Sequence, residues 1–405
     1  MAPRSTLSSV MTAARSANCL AKLERMRQTL AHREADRVPI SDFFWGSFLK
    51  RWKEEFGFPA GTDIYRYYDL DWMQFNPNLD PHIRSFEVLS EDSGQITVRT
   101  GFDAVLQKKF DQAMPAFLRF DTDTIDKMDA FQFDDPWDDR RFFSRGDNQV
   151  AGVGDGFERN TPAWIDTVRG RYPDFPVYGS ICEGHEELWR IIGTENVMMW
   201  IGLYPDEHGR FIERIGRFVV DLTRAQIKAA GGLLDGMVLW GDVAYVNGML
   251  FSPDFWRRHF KPIVREQIKV CHDAGLPVIY HGCGNASVIY EDFIEMGLDA
   301  YNPLEAKAGL EVVDLRRRFG HRMGFCGNMD ARAWAMDPMD ELKRLALTKL
   351  NAAKGGGYIF QSDHSVPTNV SAERYQYVVD LVRKHGTYPL SLGEFDRPVA
   401  GGGAP

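Results

Sequence analysis

The chain has 405 residues, 44% of them apolar and 26% charged, with a net charge of −9. That length gives room for a large core, and the acidic balance, without a Lys/Arg stripe to neutralise phosphates, excludes a nucleic-acid binder. No apolar run approaches the ~20 residues that span a bilayer, and five widely spaced cysteines (Cys19, Cys182, Cys271, Cys283, Cys326) fit free thiols in a reducing cytoplasm better than disulfides.

The first 18 residues are rich in Arg and Ser and contain no acid, a composition shared by transit peptides and by frayed N-termini; the plainer reading is a flexible segment over residues 1–19. Residues 20–35, "LAKLERMRQTLAHREA", carry Leu20, Leu23, Met26 and Leu30 at helical spacing and predict a helix. A first strand is expected at "VPISDFF" (38–44) and a second at "DWMQF" (71–75). Residues 86–120 alternate apolar and polar around Asp92-Ser93-Gly94, which predicts a β-hairpin excursion. The acidic, aromatic stretch 128–160 has little periodicity and reads as a long loop with short helical turns.

From about residue 175 short apolar runs alternate with amphipathic ones. Strands are predicted at 176–182, 236–242, 277–283, 298–305, 322–328 and 358–364, with a helix over 252–275 that opens on Ser-Pro. With the two N-terminal candidates this makes eight strands, the pattern of an α/β chain folded as a (β/α)8 TIM barrel with an N-terminal helix and a β-hairpin insertion. One domain is expected over 20–390, followed by a flexible tail at 391–405.

In such a barrel the chemistry sits at the C-terminal strand ends. Those ends hold Cys182 and Glu183, Asp242, His281 and Cys283, Glu305, Cys326 and Asn328, and Asp363 and His364. Imidazole, thiolate and carboxylate together suit Zn²⁺. "HGCG" brings His281 and Cys283 two residues apart at a glycine turn; the fourth ligand is open among Cys326, Asp363 and His364. The plainer alternatives are an H-x-C pair without function, Asp242 as a cap, and Glu305 as an ion-pair partner of Lys307 or Arg332. Cys19, Cys182 and Cys271 are assigned to packing. "LRRRFGHR" (315–322) reads as a solvated helix end, and "GGG" (355–357) as a helix stop, since neither GxGxxG nor GKS/T follows. Strand-end aromatics (Phe43, Phe44, Trp45, Trp240, Tyr245, Tyr280, Tyr301) supply both core and pocket walls, with Trp45, Trp240 and Tyr280 expected to line the substrate pocket.

Taken together, "HREADRVPI", "GMLFSPDFWRRHFKP", "AGLPVIYHGCGN", "MGLDAYNPLEAKAGLEV", "GFCGNMD" and "GGGYIFQSDHSVPTNVSAERY" resemble the uroporphyrinogen decarboxylase superfamily, in order, over most of residues 20–390. The resemblance implies a (β/α)8 barrel with its site at the strand ends. True uroporphyrinogen decarboxylases follow the first strand with an Arg-rich "MRQAGRY" segment that holds the substrate carboxylates; this chain has "ISDFFWGSFLKRW" there. The chain is closer to the zinc-dependent methyltransferase branch, which passes methyl groups among corrinoids, thiols and methylated donors. That branch carries His-x-Cys on strand five, Glu on strand six and Cys near the end of strand eight. His281, Cys283 and Glu305 match; "SDHSVPT" departs, so Asp363, His364 or Cys326 would stand in for the last thiolate. The implied function is methyl transfer from a methylated donor, an aryl methyl ether for preference, to a corrinoid or thiol. Zn²⁺ is the expected cofactor, Asp242 or Tyr245 the proton-handling group, and the corrinoid would come from a partner protein or as free cobalamin, because the chain shows no DxHxxG segment. The alternatives are a metal-free decarboxylase centred on Asp242 and a non-catalytic corrinoid- or small-molecule-binding barrel. No heptads or long apolar edge strand demand an oligomer.

Overall fold

A computed structural model describes residues 14–110, 112, 114–146 and 161–399. Seven parallel strands run side by side in chain order: Met73–Phe75, Val177–Cys182, Gly236–Trp240, Val278–His281, Ala300–Asn302, Gly324–Cys326 and Tyr358–Ile359. The segment 38–41 closes the ring. Phe360 N donates to Pro39 O (2.9 Å) and Ser41 N to Phe360 O (3.2 Å) on one side, and Asp71 N donates to Ile40 O (2.8 Å) on the other. All eight predicted strands are therefore stations of one TIM barrel, each shorter than its apolar run. The runs are unbroken because both faces are covered: Val177–Cys182 and Val278–His281 are buried at every position.

Alternation sorts each strand into two layers. One residue per strand, namely Trp72, Tyr178, Val238, Ile279, Ala300, Cys326 and Ile359, meets Met26 of the N-terminal helix in an interior cluster. Their neighbours Val177, Met237, Leu239, Val278, Tyr280, Tyr301, Phe325 and Tyr358 belong to the larger cluster between barrel and helices. Trp240, His281 and Asn302 lie two residues beyond Val238, Ile279 and Ala300, so they point inward one layer higher. Tyr280 and Tyr301 point out.

The first helix is Ala17–Leu30, capped by the Ser16 hydroxyl, which accepts from Cys19 N (3.1 Å). It begins inside the segment expected to be flexible, and Arg15 is tied to Asp235 at 2.9 Å; residues 1–13 lie outside the described residues. At the other end the tail is packed as far as it is described: Leu392 is buried, Gly393–Phe395 forms a 3₁₀ turn, and residues 400–405 lie outside. The hairpin at Asp92-Ser93-Gly94 grows into a four-stranded antiparallel meander, Glu87–Glu91, Gln95–Arg99, Ala104–Lys109 and Ala116–Phe120. Phe117 packs on Trp189 (5.0 Å between rings), in the helix Gly184–Ile192 that leaves the third barrel strand, so the meander stands beside the barrel mouth. Short helices Ile125–Ala130 and Arg140–Phe143 occupy the predicted loop, of which 147–160 lie outside the described residues.

The predicted helix over 252–275 is two, Pro253–His259 and Lys261–Asp273. Ser252 caps the first as expected, and Pro262 restarts the chain after Phe260. The three glycines 355–357 all have positive φ (74, 78 and 76°), and a Cβ on Gly356 would lie 2.4 Å from Arg33 N. Arg316 departs from the solvated reading of its cluster. It is buried and donates to Ala352 O and Gly356 O, both at 3.0 Å, clamping that turn. All five cysteines are free thiols, and among the described residues no helix is long and apolar enough to cross a membrane.

Candidate metal centre

The mouth of the barrel is formed where strands four, five, six and eight end. His281 closes the fifth strand with its ring inward and 5% exposed. The chain then turns through Gly282 and Gly284, the latter at φ 77°, where a Cβ would lie 2.6 Å from the Ala244 backbone. This close approach lets Cys283 swing its sulfur back toward His281: Sγ lies 3.6 Å from Nε2. The loop after strand four secures the turn, because Asp242 Oδ1 accepts from Cys283 N at 2.8 Å. Glu305, after strand six, accepts from Gly284 N through Oε2 (2.7 Å) and pairs through Oε1 with Lys307 (2.8 Å).

Two groups of ligand atoms result, each within 4.8 Å throughout: Asp242, His281 and Cys283, and Cys283, Glu305 and His364. The Cys283 sulfur belongs to both. His364 is held by stacking on Trp45, ring centroids 6.1 Å apart at 9°. Nitrogen, sulfur and carboxylate oxygen in reach of one point are the donor set that fits Zn²⁺.

Burial sets the electrostatics. It lowers His281 to about 3 and lowers His364 as well, so both imidazoles offer lone pairs. It pushes the Cys283 thiol well above its usual range, reinforced by Asp242 and Glu305. A cation must therefore displace the thiol proton to gain its thiolate. Burial also pushes Asp242 up to about 7, helped by the charge of Glu186.

The remaining predicted residues separate by geometry. Cys326 is buried in the barrel interior with Sγ donating to Gln361 Oε1 at 2.8 Å, and it joins neither ligand group. Asp363 is spent on backbone: Oδ2 accepts from Ala306 N (3.0 Å) and Oδ1 from Ala331 N (2.9 Å), joining the loops after strands six and seven. Asn328, at φ 75°, is a structural hub whose amide donates to Leu304 O (2.7 Å) and Leu310 O (2.9 Å). Glu183 caps the next helix, accepting from His185 N and Glu186 N. Tyr245 sits on a two-residue strand pair and is 67% exposed. Tyr280 does not wall the pocket: its ring faces Phe293 outside the barrel and its hydroxyl donates to Gly241 O (3.0 Å), because it is one residue out of phase with His281. Trp240 points inward beside His281, 4.1 Å from its ring with Nε1 donating to Ser180 Oγ (2.6 Å). Phe43 packs beside both, 5.8 Å from Trp240 and 6.0 Å from His281.

A family model described as uroporphyrinogen decarboxylase (URO-D) matches residues 167–385, more than half of the chain. The chain belongs to the uroporphyrinogen decarboxylase family. It is similar to uroporphyrinogen decarboxylase of Thermus thermophilus, 29% identical over 183 residues covering 43% of this chain and 48% of that one. To the enzyme of that name from Aquifex aeolicus it is 25% identical over 201 residues, 49% of this chain and 54% of that one. The chain thus spans about half the length of the curated relatives it matches. Its fold is similar to that of a methyltransferase from Methanosarcina mazei, with a TM-score of 0.58 at 14% identity, covering 89% of this chain and 98% of that one.

The matched region begins in the helix before strand three and contains every ligand in both groups. The arginine-bearing segment of true decarboxylases would fall after strand one, where this member of the family has helix Gly46–Phe56; its Arg51 points to Glu55 (2.5 Å) and Thr368 O (2.8 Å). One residue in contact with His281 is absent from the candidates the sequence offers. Asn302, inward on strand six and 1% exposed, has Oδ1 2.5 Å from His281 Nδ1. Its signal was available: a polar side chain ending the apolar strand Ala300–Asn302.

Proposed function

We propose that this chain is a zinc-dependent methyltransferase that takes a methyl group from a methylated donor of the aryl methyl ether class and passes it to a corrinoid or thiol acceptor. The observation that carries the reading is the convergence of His281, Cys283, Glu305 and His364 around one sulfur at the barrel mouth, with Asp242 behind Cys283. These residues would hold the ion. When bound, zinc supplies Lewis acidity to the atom from which the methyl departs.

The chain's own residues do the rest. Phe43 and Trp240 pack beside His281 and Trp45 stacks on His364, so aromatic rings border the candidate ligands, which supports an aryl methyl donor over an aliphatic one. To Asp242, which accepts from Cys283 N and whose carboxyl burial pushes up in the metal-free protein, we assign the proton of a departing oxygen in preference to a place among the ligands. Tyr245 is too exposed to share that work. The corrinoid would be brought by a partner protein or as free cobalamin.

A second reading, a metal-free decarboxylase centred on Asp242, is favoured by the activity in the names of the curated relatives. Metal analysis of purified protein, with single-turnover assays of methylated donors against free cob(I)alamin, separates the two. Stoichiometric zinc and methylcobalamin formation that His281→Ala abolishes are expected. Protein without zinc, or turnover indifferent to His281→Ala, would overturn the methyltransferase reading.

A further inference from the structure

An imidazole binds a cation only through a nitrogen without a proton, so which nitrogen of His281 carries the hydrogen decides whether it can face Cys283. Three bonds behind the ring determine this. Asn302 Nδ2 donates to the backbone carbonyl of Cys326 (3.1 Å) and to Gln361 Oε1 (3.3 Å). A backbone carbonyl can only accept, so the amide cannot be turned over without setting oxygen against oxygen. Asn302 Oδ1 is thereby aimed at His281 Nδ1, 2.5 Å away, and an amide oxygen facing a ring nitrogen requires a hydrogen on that nitrogen. The neutral ring then leaves Nε2 bare, and Nε2 is the atom 3.6 Å from Cys283 Sγ. Gln361 is itself steadied by the Cys326 thiol, which donates to the same Oε1 at 2.8 Å.

We infer that Asn302 is a positioning residue that locks His281 in its Nδ1–H tautomer, orienting Nε2 toward the cation site, with Gln361 and Cys326 as its support. Cys326 thus bears on the site from behind chiefly through its backbone carbonyl, which any residue at that position would supply. The tautomer itself depends only on the protein; its consequence for zinc affinity rests on the metal-centre reading above. Outer partners of this kind tune affinity by about 10- to 100-fold.

The test reads the two levels separately. In metal-free, ¹⁵N-histidine-labelled full-length protein, long-range ¹H–¹⁵N spectra, assigned with His281→Gln, are expected to show His281 protonated on Nδ1. Asn302→Leu should give a mixed or Nε2–H ring, whereas Asn302→Asp, which loses the Nδ2 bonds to Cys326 O and Gln361 Oε1 and some stability with them but keeps an acceptor facing Nδ1, should retain Nδ1–H. Co²⁺ titration should then show affinity falling about 10- to 100-fold in Asn302→Leu and holding within about threefold in Asn302→Asp. A merely structural role would lower thermal stability in both variants without this split. Wild-type His281 protonated on Nε2, or an Asn302→Leu protein with tautomer unchanged, overturns the inference. Wild-type protein with Nδ1–H that binds no Co²⁺ overturns the metal reading and leaves the tautomer lock supported. Should Asn302→Leu not fold, Asn302→Ser, too short to reach Nδ1, takes its place with the same expected outcome.

Discussion

Cys283 and Cys326 are both inward cysteines of the same barrel, and replacing each by alanine should have opposite consequences. Cys283 is shared by both ligand groups, so its loss leaves only the pairs Asp242 with His281 and Glu305 with His364. A tetrahedral protein site binds zinc with roughly 10 to 16 kcal/mol, or about 3 kcal/mol per ligand, and 1.4 kcal/mol is a factor of ten. Cys283→Ala should therefore weaken zinc by about 100-fold or more. Its backbone bond to Asp242 survives, so stability should change by less than about 1 kcal/mol. Cys326 is fully buried, its sulfur donates to Gln361 Oε1, and it joins neither ligand group. Cys326→Ala should cost about 1 to 2 kcal/mol in stability and leave zinc affinity within about threefold. Zinc competition against a chelating dye gives the affinities. Co²⁺ substitution gives the chemistry, since a thiolate ligand produces a charge-transfer band that Cys283→Ala should remove and Cys326→Ala should keep. A band that vanishes in Cys326→Ala and persists in Cys283→Ala would refute the assignment of the sulfur ligand.

Three further outcomes are expected. Burial raises Asp42 to about 8, and the group is ionised in the unfolded chain above about 4, so between those values the native state holds a proton that the unfolded state has lost. Stability then falls with rising pH by up to about 1.4 kcal/mol per unit from this group, and urea melts of Asp42→Asn should exceed wild type by more at pH 8 than at pH 5; an equal difference at both pH values would sink the claim. Gly356→Ala, with φ at 78° and a Cβ set 2.4 Å from Arg33 N, should lose about 2 to 5 kcal/mol, while Gly61→Ala, which meets nothing within 4 Å, should be nearly neutral in the same thermal melts. Tyr245→Phe, at a side chain 67% exposed, should keep methyl-transfer turnover within about twofold; a loss beyond tenfold would return Tyr245 to the chemistry.

The barrel was legible because parallel strands covered on both faces read as unbroken apolar runs between glycine-rich ends, so "PVIYHGC" and "YIFQSDH" announced themselves. The meander was legible at its turn and in the alternation of Gln95–Arg99, whose Ile96 and Val98 are buried, but not in its first strand. Its first strand, Glu87–Glu91, is exposed at every residue and carries no apolar phase to read. Phe260, where the long predicted helix breaks, lies amid helical periodicity; Pro262 marks the restart in the sequence, and Phe251, Phe255 and His185 pack around the break (5.4, 6.0 and 5.7 Å). Which of Asp363 and His364 stands beside Cys283 was undecidable from spacing because the two are adjacent. What separates them is tertiary: two backbone N–H groups from other loops claim Asp363, and the Trp45 ring claims His364.

The errors at the site share one cause, which is phase. Runs that are apolar throughout show that a strand is present without showing which residues face in, and so Tyr280 was read as pocket wall while Asn302 was passed over. Once one inward residue is known, register supplies the others. His281 pairs with Trp240 on one side and Asn302 on the other, and Tyr280 pairs with Leu239 and Tyr301. Cross-strand partners share a face, so placing His281 inward puts Trp240 and Asn302 beside it and sends Tyr280 and Tyr301 out together. The ligand motif therefore contained the phase of its neighbours. Combined with the expectation that a metal-bound histidine has an acceptor on its far nitrogen, it points to the one polar residue at that level of the next strand, Asn302.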